Sequence, residues 1–197
     1  MTRLWWVRHA PTHAKTMVGR TDLPADLRDL AALARLRDFL PKTALIVSSD
    51  LLRAIQTADA IAAGRSRLPH LPGLREFDYG AWEGLHWSEI AARWPDLSRA
   101  CWEAPGHSAP PQGESWNLGA ARISAAVDRL ALAHPGRDIV VVAHVGVILT
   151  QLQRARACSA AEVLAQKIDN LSVTLLSRQE AGWQAAGWRE QQTNHIP

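Results

Sequence analysis

The chain has 197 residues, 47% apolar and 21% charged, which excludes a disordered segment and suits one globular unit that can bury a core without disulfide staples. Its formal net charge is +3 with no block of like charge, so a nucleic-acid groove is not indicated. Cys101 and Cys158 lie far apart in no CxxC spacing, and the N-terminal apolar run is too short for a signal peptide or a membrane span. The expectation is a cytoplasmic protein with no membrane partner.

Leu4 to Val7 is continuously apolar and reads as a strand buried on both faces. It stops abruptly at Arg8-His9, and a polar, turn-rich loop follows. Helical periodicity begins near Asp26 and carries Leu27, Leu30, Leu33, Arg37 and Leu40 at spacings of three and four, until Pro41 ends it. Thr43 to Ser49 is a second buried strand. Asp50 is placed to cap the next helix, which carries Leu52, Ile55 and Ile61 and ends at Gly64. Residues 65–113 hold most of the prolines and read as an irregular, cap-like excursion within a single domain spanning 1–197, with one short helix around Trp87 to Trp94. A long helix is predicted from about Ser115 to His134, with a turn at Pro135-Gly136. Asp138 to His144 is the most hydrophobic strand. Gly146 opens another helix, a short one follows from Ala160, and "LSVTLLS" and "GWQAAGWRE" read as a closing pair of strands.

This order predicts an α/β fold that is doubly wound, with three layers, a mostly parallel sheet and helices on both faces. In such folds the ligand site lies at the carboxyl ends of the strands. Arg8-His9, Ser48-Ser49 and His144 each follow a buried strand, so three strands bring polar or titratable groups to one edge. Arg53 sits in the first turn of a helix, where a cation faces the positive end of the helix dipole at a cost of roughly a few tenths of a kcal/mol. An anion held by the guanidinium would reverse that sign. A local pair with Asp50, three residues earlier, is the structural alternative, and position alone leaves both open.

The blocks "VRHAPT", "SSDLLRAIQTA", "LREFDYGAWEG", "PQGES" and "VVVAHVGVI" resemble, in order and spacing, the signatures of the histidine phosphatase superfamily. The branch is the one with cofactor-dependent phosphoglycerate mutases, the bisphosphatase domain acting on fructose 2,6-bisphosphate, and α-ribazole-5′-phosphate phosphatases. The likeness covers about residues 4 to 150. It implies a phosphoglycerate mutase-like fold and covalent catalysis with no metal or cofactor. On it, His9 matches the nucleophile, whose neutral imidazole forms a phosphohistidine. Arg8 and Arg53 match the arginines that hold phosphoryl oxygens, and His144 matches the second histidine, which donates to the same oxygens. Glu76 matches the acid/base that protonates the leaving alkoxide. Asp78 and Glu83 are close enough to compete. Only the spacing to Tyr79-Gly80 and Trp82-Glu83-Gly84 selects Glu76, and Glu83 is read as structural. Thr12, Arg20 and Val145 complete the substrate-binding set that the likeness implies, and Ser115 is read as a helix cap.

Three positions depart from the family pattern. Ala10 and Val145 stand where glycine is usual, and Lys15 where asparagine is. Val145 would be strained if its place required a positive φ. The chain lacks the mid-chain insertion of the mutases and reads "REFDYG" where they read "ERHYG". The expected activity is therefore phosphomonoester hydrolysis on a small phosphorylated metabolite, with α-ribazole 5′-phosphate a candidate. Mutase-type phosphoryl transfer and a non-catalytic phosphate-binding scaffold are the alternatives. The tryptophans of the excursion, Trp82, Trp87, Trp94 and Trp102, together with Trp116, serve either core packing or stacking on an aromatic group of the substrate.

Overall fold

A computed structural model describes residues 1–178 and 187–197. The chain runs through β1 (Thr2–Arg8), α1 (Leu30–Phe39), β2 (Leu45–Ser48), α2 (Leu52–Ala60), α3 (Trp87–Arg93), α4 (Pro95–Glu103), α5 (Trp116–Ala133), β3 (Asp138–Ala143), α6 (Val145–Arg156), α7 (Ala160–Leu164), β4 (Val173–Arg178) and β5 (Trp188–His195). The strands form one sheet in the order β2-β3-β1-β4-β5. β1 and β2 both pair with β3 in parallel, while β4 is antiparallel to β1 and to β5. All strands except β4 therefore point the same way.

The period of two in a strand explains why the central sequences are apolar throughout. Ile139 and Val141 of β3 face a core built with α5 and α6, and Val140 and Val142 face a second core built with α1 and α2. Leu4 and Trp6 of β1 join the first core, and Val7 joins the second. Each fully buried Val or Ile contributes roughly 1.5–3 kcal/mol relative to exposure. A one-residue slip in register would exchange the two faces, so register is strongly specified. It aligns Arg8 with Ala143 and Ser48 with Val142. One step further the ladder still holds, as His9 N donates to Ala143 O at 3.0 Å and Ser49 N to Val142 O at 3.1 Å. Ser49, His9 and His144 thus meet at one edge.

Several elements differ from the sequence-based expectation. α1 starts at Leu30, because Asp29 caps it by accepting from Ala32 N, while Asp26 is spent on Arg28 and His13. Asp50 does not cap α2 but pairs with Arg75 at 2.5 Å. The Leu52 N–H at the start of α2 instead finds Asp22 Oδ1 at 2.6 Å, a partner thirty residues away. α2 ends at Ala60, before Gly64. The excursion holds a second helix, α4, which begins at Pro95, a residue suited to the first helical position. Ser115 does cap α5, accepting from Leu118 N. The last strand lies at Trp188–His195, later than expected, because its polar "QQTNH" half pairs only with β4 at the sheet edge. The part of that expectation at residues 182–186 lies outside the described residues. Among the described residues, no helix is long and apolar enough to cross a membrane.

Candidate active site

At the carboxyl ends of β1 and β2, a cavity of about 150 Å³ is lined by Arg8, His9, Thr12, Arg53, Glu76 and Val145. These six were singled out from the sequence, whereas Ala14, Thr16 and Val18, which complete the lining, were not. Of the other two residues singled out, His144 lies beside the cavity and Arg20 outside it.

His9 is 7% exposed, and burial, with the charges of Arg53 and Arg8 added, pushes its imidazole pKa down to about 3. It is therefore neutral at ordinary pH. Its Nδ1 lies 2.7 Å from Ala10 O. A carbonyl oxygen only accepts, so Nδ1 carries the proton and Nε2 keeps its lone pair. The backbone around it is fixed on two sides: Asn170 Nδ2 donates to His9 O at 2.7 Å, and Ala10 N donates to Thr57 Oγ1 at 2.9 Å. Thr57 in turn donates to Arg53 O. Ala10 is fully buried and its φ is not positive, so its methyl is accommodated without backbone strain.

Arg53 is 1% exposed. Its partner is not Asp50. Instead Nη1 donates to Thr21 O at 2.9 Å and Nη2 to Gly19 O at 2.7 Å. Arg8 Nη1 donates to Ile168 O at 2.6 Å, and its buried Nε has no partner among the described residues. Burial lowers both arginines from their ordinary value, but a guanidinium stays charged. The cavity therefore presents two cations to a neutral imidazole.

Glu76 is 3% exposed and fixed by two backbone N–H groups, Phe77 N to Oε1 at 3.0 Å and Gly146 N to Oε2 at 3.1 Å. Burial raises its pKa, against the pull of these bonds and of Arg53 and Arg8. Gly146 has no room for a side chain, since a Cβ would strike Glu76 Oε1 and the Phe77 ring. Val145 begins α6 with no positive φ, so valine is unstrained there. His144 is fully buried, with its ring centroid 5.1 Å from that of His9 and its Nε2 2.7 Å from Ser49 Oγ. The Ser49 hydroxyl also accepts from Leu51 N at 3.4 Å, and when it donates to His144 Nε2 the imidazole proton sits on Nδ1. His144 Nδ1 is buried and has no partner among the described residues. Burial, with the neighbouring His9 and arginines, pushes the His144 pKa well down.

Arg20 donates through Nε to Glu76 O at 3.0 Å and lies 3.7 Å from Glu114. Lys15 is exposed. Thr57 and Asn170, which hold the His9 backbone, were not singled out from the sequence. Thr57 carries a faint signal, four residues from Arg53 on the same helix, whereas Asn170 lies on the loop before β4 and carries none.

The small cavity adjoins a larger one of about 410 Å³ that shares Arg8 and Val145 and is walled by Phe77, Tyr79, Trp82, Trp102 and Trp116. Phe77 stacks on Trp116 at 5.3 Å and is packed so tightly on Gly119 that a Cβ there would enter its ring. Among the described residues, no group of three His, Cys, Asp or Glu side chains is placed to hold a metal ion.

The family model for the histidine phosphatase superfamily (branch 1) matches residues 4–191. The bifunctional protein Rv2228c of Mycobacterium tuberculosis is 33% identical over 135 residues, covering 67% of this chain and 36% of that protein. The chain thus spans about a third of the length of that relative. The metal-independent phosphoserine phosphatase of Arabidopsis thaliana is 29% identical over 83% of this chain and 68% of its own. The adenosylcobalamin/alpha-ribazole phosphatase of Escherichia coli is 28% identical over 77% of this chain and 78% of its own. Among solved structures, mycobacterial glucosyl-3-phosphoglycerate phosphatase superposes with a TM-score of 0.84 at 30% identity, covering 99% of both chains. That protein is also known in complex with VO3 and with inorganic phosphate.

Proposed function

Because the chain belongs to the histidine phosphatase superfamily (branch 1), we propose that it hydrolyses phosphomonoesters through a phosphohistidine on His9. The observation that carries this reading is the state of His9: a neutral imidazole with Nε2 unprotonated, in one cavity with two arginines and a buried carboxyl group. Nε2 attacks phosphorus, the bond from phosphorus to the alkoxide oxygen breaks, and protonated Glu76 delivers its proton to that oxygen. Water then attacks the phosphohistidine and gives a proton to the Glu76 carboxylate. The N–P bond breaks and inorganic phosphate leaves. Arg8 and Arg53 face the charge of the non-bridging oxygens, and the unpaired Nδ1 of His144 supplies a further donor beside His9. Thr12 and Val145 border the same space.

The adjoining aromatic cavity receives the alcohol part of the substrate. Apart from the shared Arg8, its charged groups are already paired: Glu114 with Arg122 at 2.5 Å and Asp78 N, and Lys167 with Asp169 at 2.8 Å. A flat, weakly charged group suits these walls, and α-ribazole 5′-phosphate is a substrate of that kind. The test is hydrolysis in EDTA of a panel containing α-ribazole 5′-phosphate, nucleotides, sugar phosphates, phosphoserine and nitrophenyl phosphate. Inorganic phosphate should appear with the wild-type protein and fall by at least about a thousandfold in His9→Ala. Turnover that survives the substitution overturns the covalent mechanism. An isomeric phosphate ester in place of inorganic phosphate identifies a mutase, and saturable phosphate binding without turnover identifies a scaffold.

A further inference from the structure

Glu83 does not line the small cavity, yet its carboxylate grips an entire turn of chain. It accepts from Gly19 N at 3.0 and 3.1 Å, Arg20 N at 2.6 Å, Thr21 N at 3.2 Å and the Thr21 hydroxyl at 2.5 Å. Burial pushes its pKa up, but these bonds outweigh that and hold it below the usual carboxylate range. Opposite the donors, the same turn hands out its acceptors. Gly19 O and Thr21 O take the two terminal nitrogens of Arg53. Asp22 takes the N–H of Leu52, the residue before Arg53. The side chain of Arg20 reaches the other way and donates to Glu76 O. The turn has no slack, because a Cβ at Gly19 would strike the Phe77 carbonyl and the Tyr79 ring.

We propose that Glu83 is a positioning residue for the reaction: by clamping residues 19–22 it aims the Arg53 guanidinium at the phosphoryl group and, through Arg20, seats Glu76. This rests on the phosphatase reading of the site. The physical reason is geometric. Two carbonyls hold both terminal nitrogens of a planar fork, which fixes its plane and rotation and so the directions of the N–H groups that remain. Loss of the clamp lets the fork turn, and a misplacement of about 1 Å costs on the order of a hundredfold in rate.

The experiment is a double-mutant cycle of Glu83→Gln with Arg53→Lys, read as kcat, KM and inhibition by inorganic phosphate, with thermal melting alongside. Glu83→Gln should lower kcat/KM by about tenfold or more in the wild type but by less than about threefold in the Arg53→Lys background. Equal losses in both backgrounds overturn the proposal, since a general loosening of the fold acts regardless of Arg53. If Glu83→Gln does not fold, Thr21→Val, which removes only the hydroxyl donor, enters the same cycle with the same criterion. Arg20→Met tests the second arm. It should slow alkyl phosphates while sparing nitrophenyl phosphate, whose leaving group needs no proton. A raised KM on both substrates with kcat unchanged would place Arg20 on the substrate and remove that arm. Should the wild type lack turnover, the phosphatase reading fails. The clamp is then judged by calorimetric binding of inorganic phosphate, where the same non-additivity is expected and additivity overturns it.

Discussion

Two cavities meet at Arg8 and Val145, and they are built in opposite ways. The smaller is polar: Arg8, His9, Arg53 and Val145 come from strand ends and helix starts of the α/β core, and Glu76 joins them from the excursion. Its groups are held by backbone atoms: Ala10 O for His9, Gly19 O and Thr21 O for Arg53, and the N–H groups of Phe77 and Gly146 for Glu76. The larger is aromatic, and Tyr79, Trp82 and Trp102 reach it from the excursion at residues 65–113. Its walls hold by ring contacts, as in Trp82 against Trp102 at 6.4 Å. Backbone anchoring leaves a charged group one orientation, whereas ring contacts tolerate repacking. On the proposed reading, the first cavity fixes the reaction and the second sets the substrate.

Substitutions can break this division, beginning with the largest effect. Glu76→Gln keeps the shape of the small cavity but removes its proton. Hydrolysis of alkyl phosphates should fall by about 10²- to 10⁴-fold, and that of nitrophenyl phosphate far less. Equal losses on both would take Glu76 out of the acid role. Gly146→Ala strikes both cavities at once, since its N–H holds Glu76 and its Cβ would meet the Phe77 ring. It should cost about 1–3 kcal/mol of stability by denaturant titration, together with a fall in kcat on every substrate.

The pH profile sharpens the contrast. Burial raises the pKa of Glu76, so the protonated, donating form is lost as pH rises through that raised value. In the free protein kcat/KM for alkyl phosphates should therefore fall on the alkaline side, and Glu76→Gln should lack this limb. His9 at about 3 stays neutral down to strongly acidic pH and places no acid limb near neutrality. The same depressed value makes the fold lose stability as pH drops below about 6.5, where the unfolded chain takes up the proton and the native one does not. Melting temperatures measured across that range should decline toward acid, more gently in His9→Ala. The smallest effect belongs to the second cavity. Trp102 is 45% exposed and packs on Trp82, so Trp102→Ala should cost only about 1–2 kcal/mol of stability. It should raise KM several-fold for substrates with an aromatic alcohol, and inhibition by inorganic phosphate should stay as in the wild type. A change in phosphate inhibition would show that the two cavities do not act separately.

The core was legible because burial on both faces of β1, β2 and β3 demands apolar runs, and the groups that end those runs were legible with it. α5 was legible as well, because its helical period is long and Ser115 caps it locally. The start of α2 was not, because its first N–H is met by Asp22 and not by the neighbouring Asp50. Nor was β5 in its full extent, since a polar edge strand shows its pattern only beside β4.

By itself the sequence determined the α/β layering and the residue types that gather at one edge of the sheet, where the candidate site lies, because local period and strand-end position are properties of the chain alone. Only the tertiary structure decided what those residues are. It made His9 neutral by burial and gave it one tautomer through Ala10 O. It gave the Arg53 guanidinium carbonyl partners from residues 19–21 in place of Asp50. It also turned Glu83 into the clamp of that turn. Protonation and orientation depend on atoms that lie tens of residues apart along the chain, and folding alone brings them within hydrogen-bonding distance.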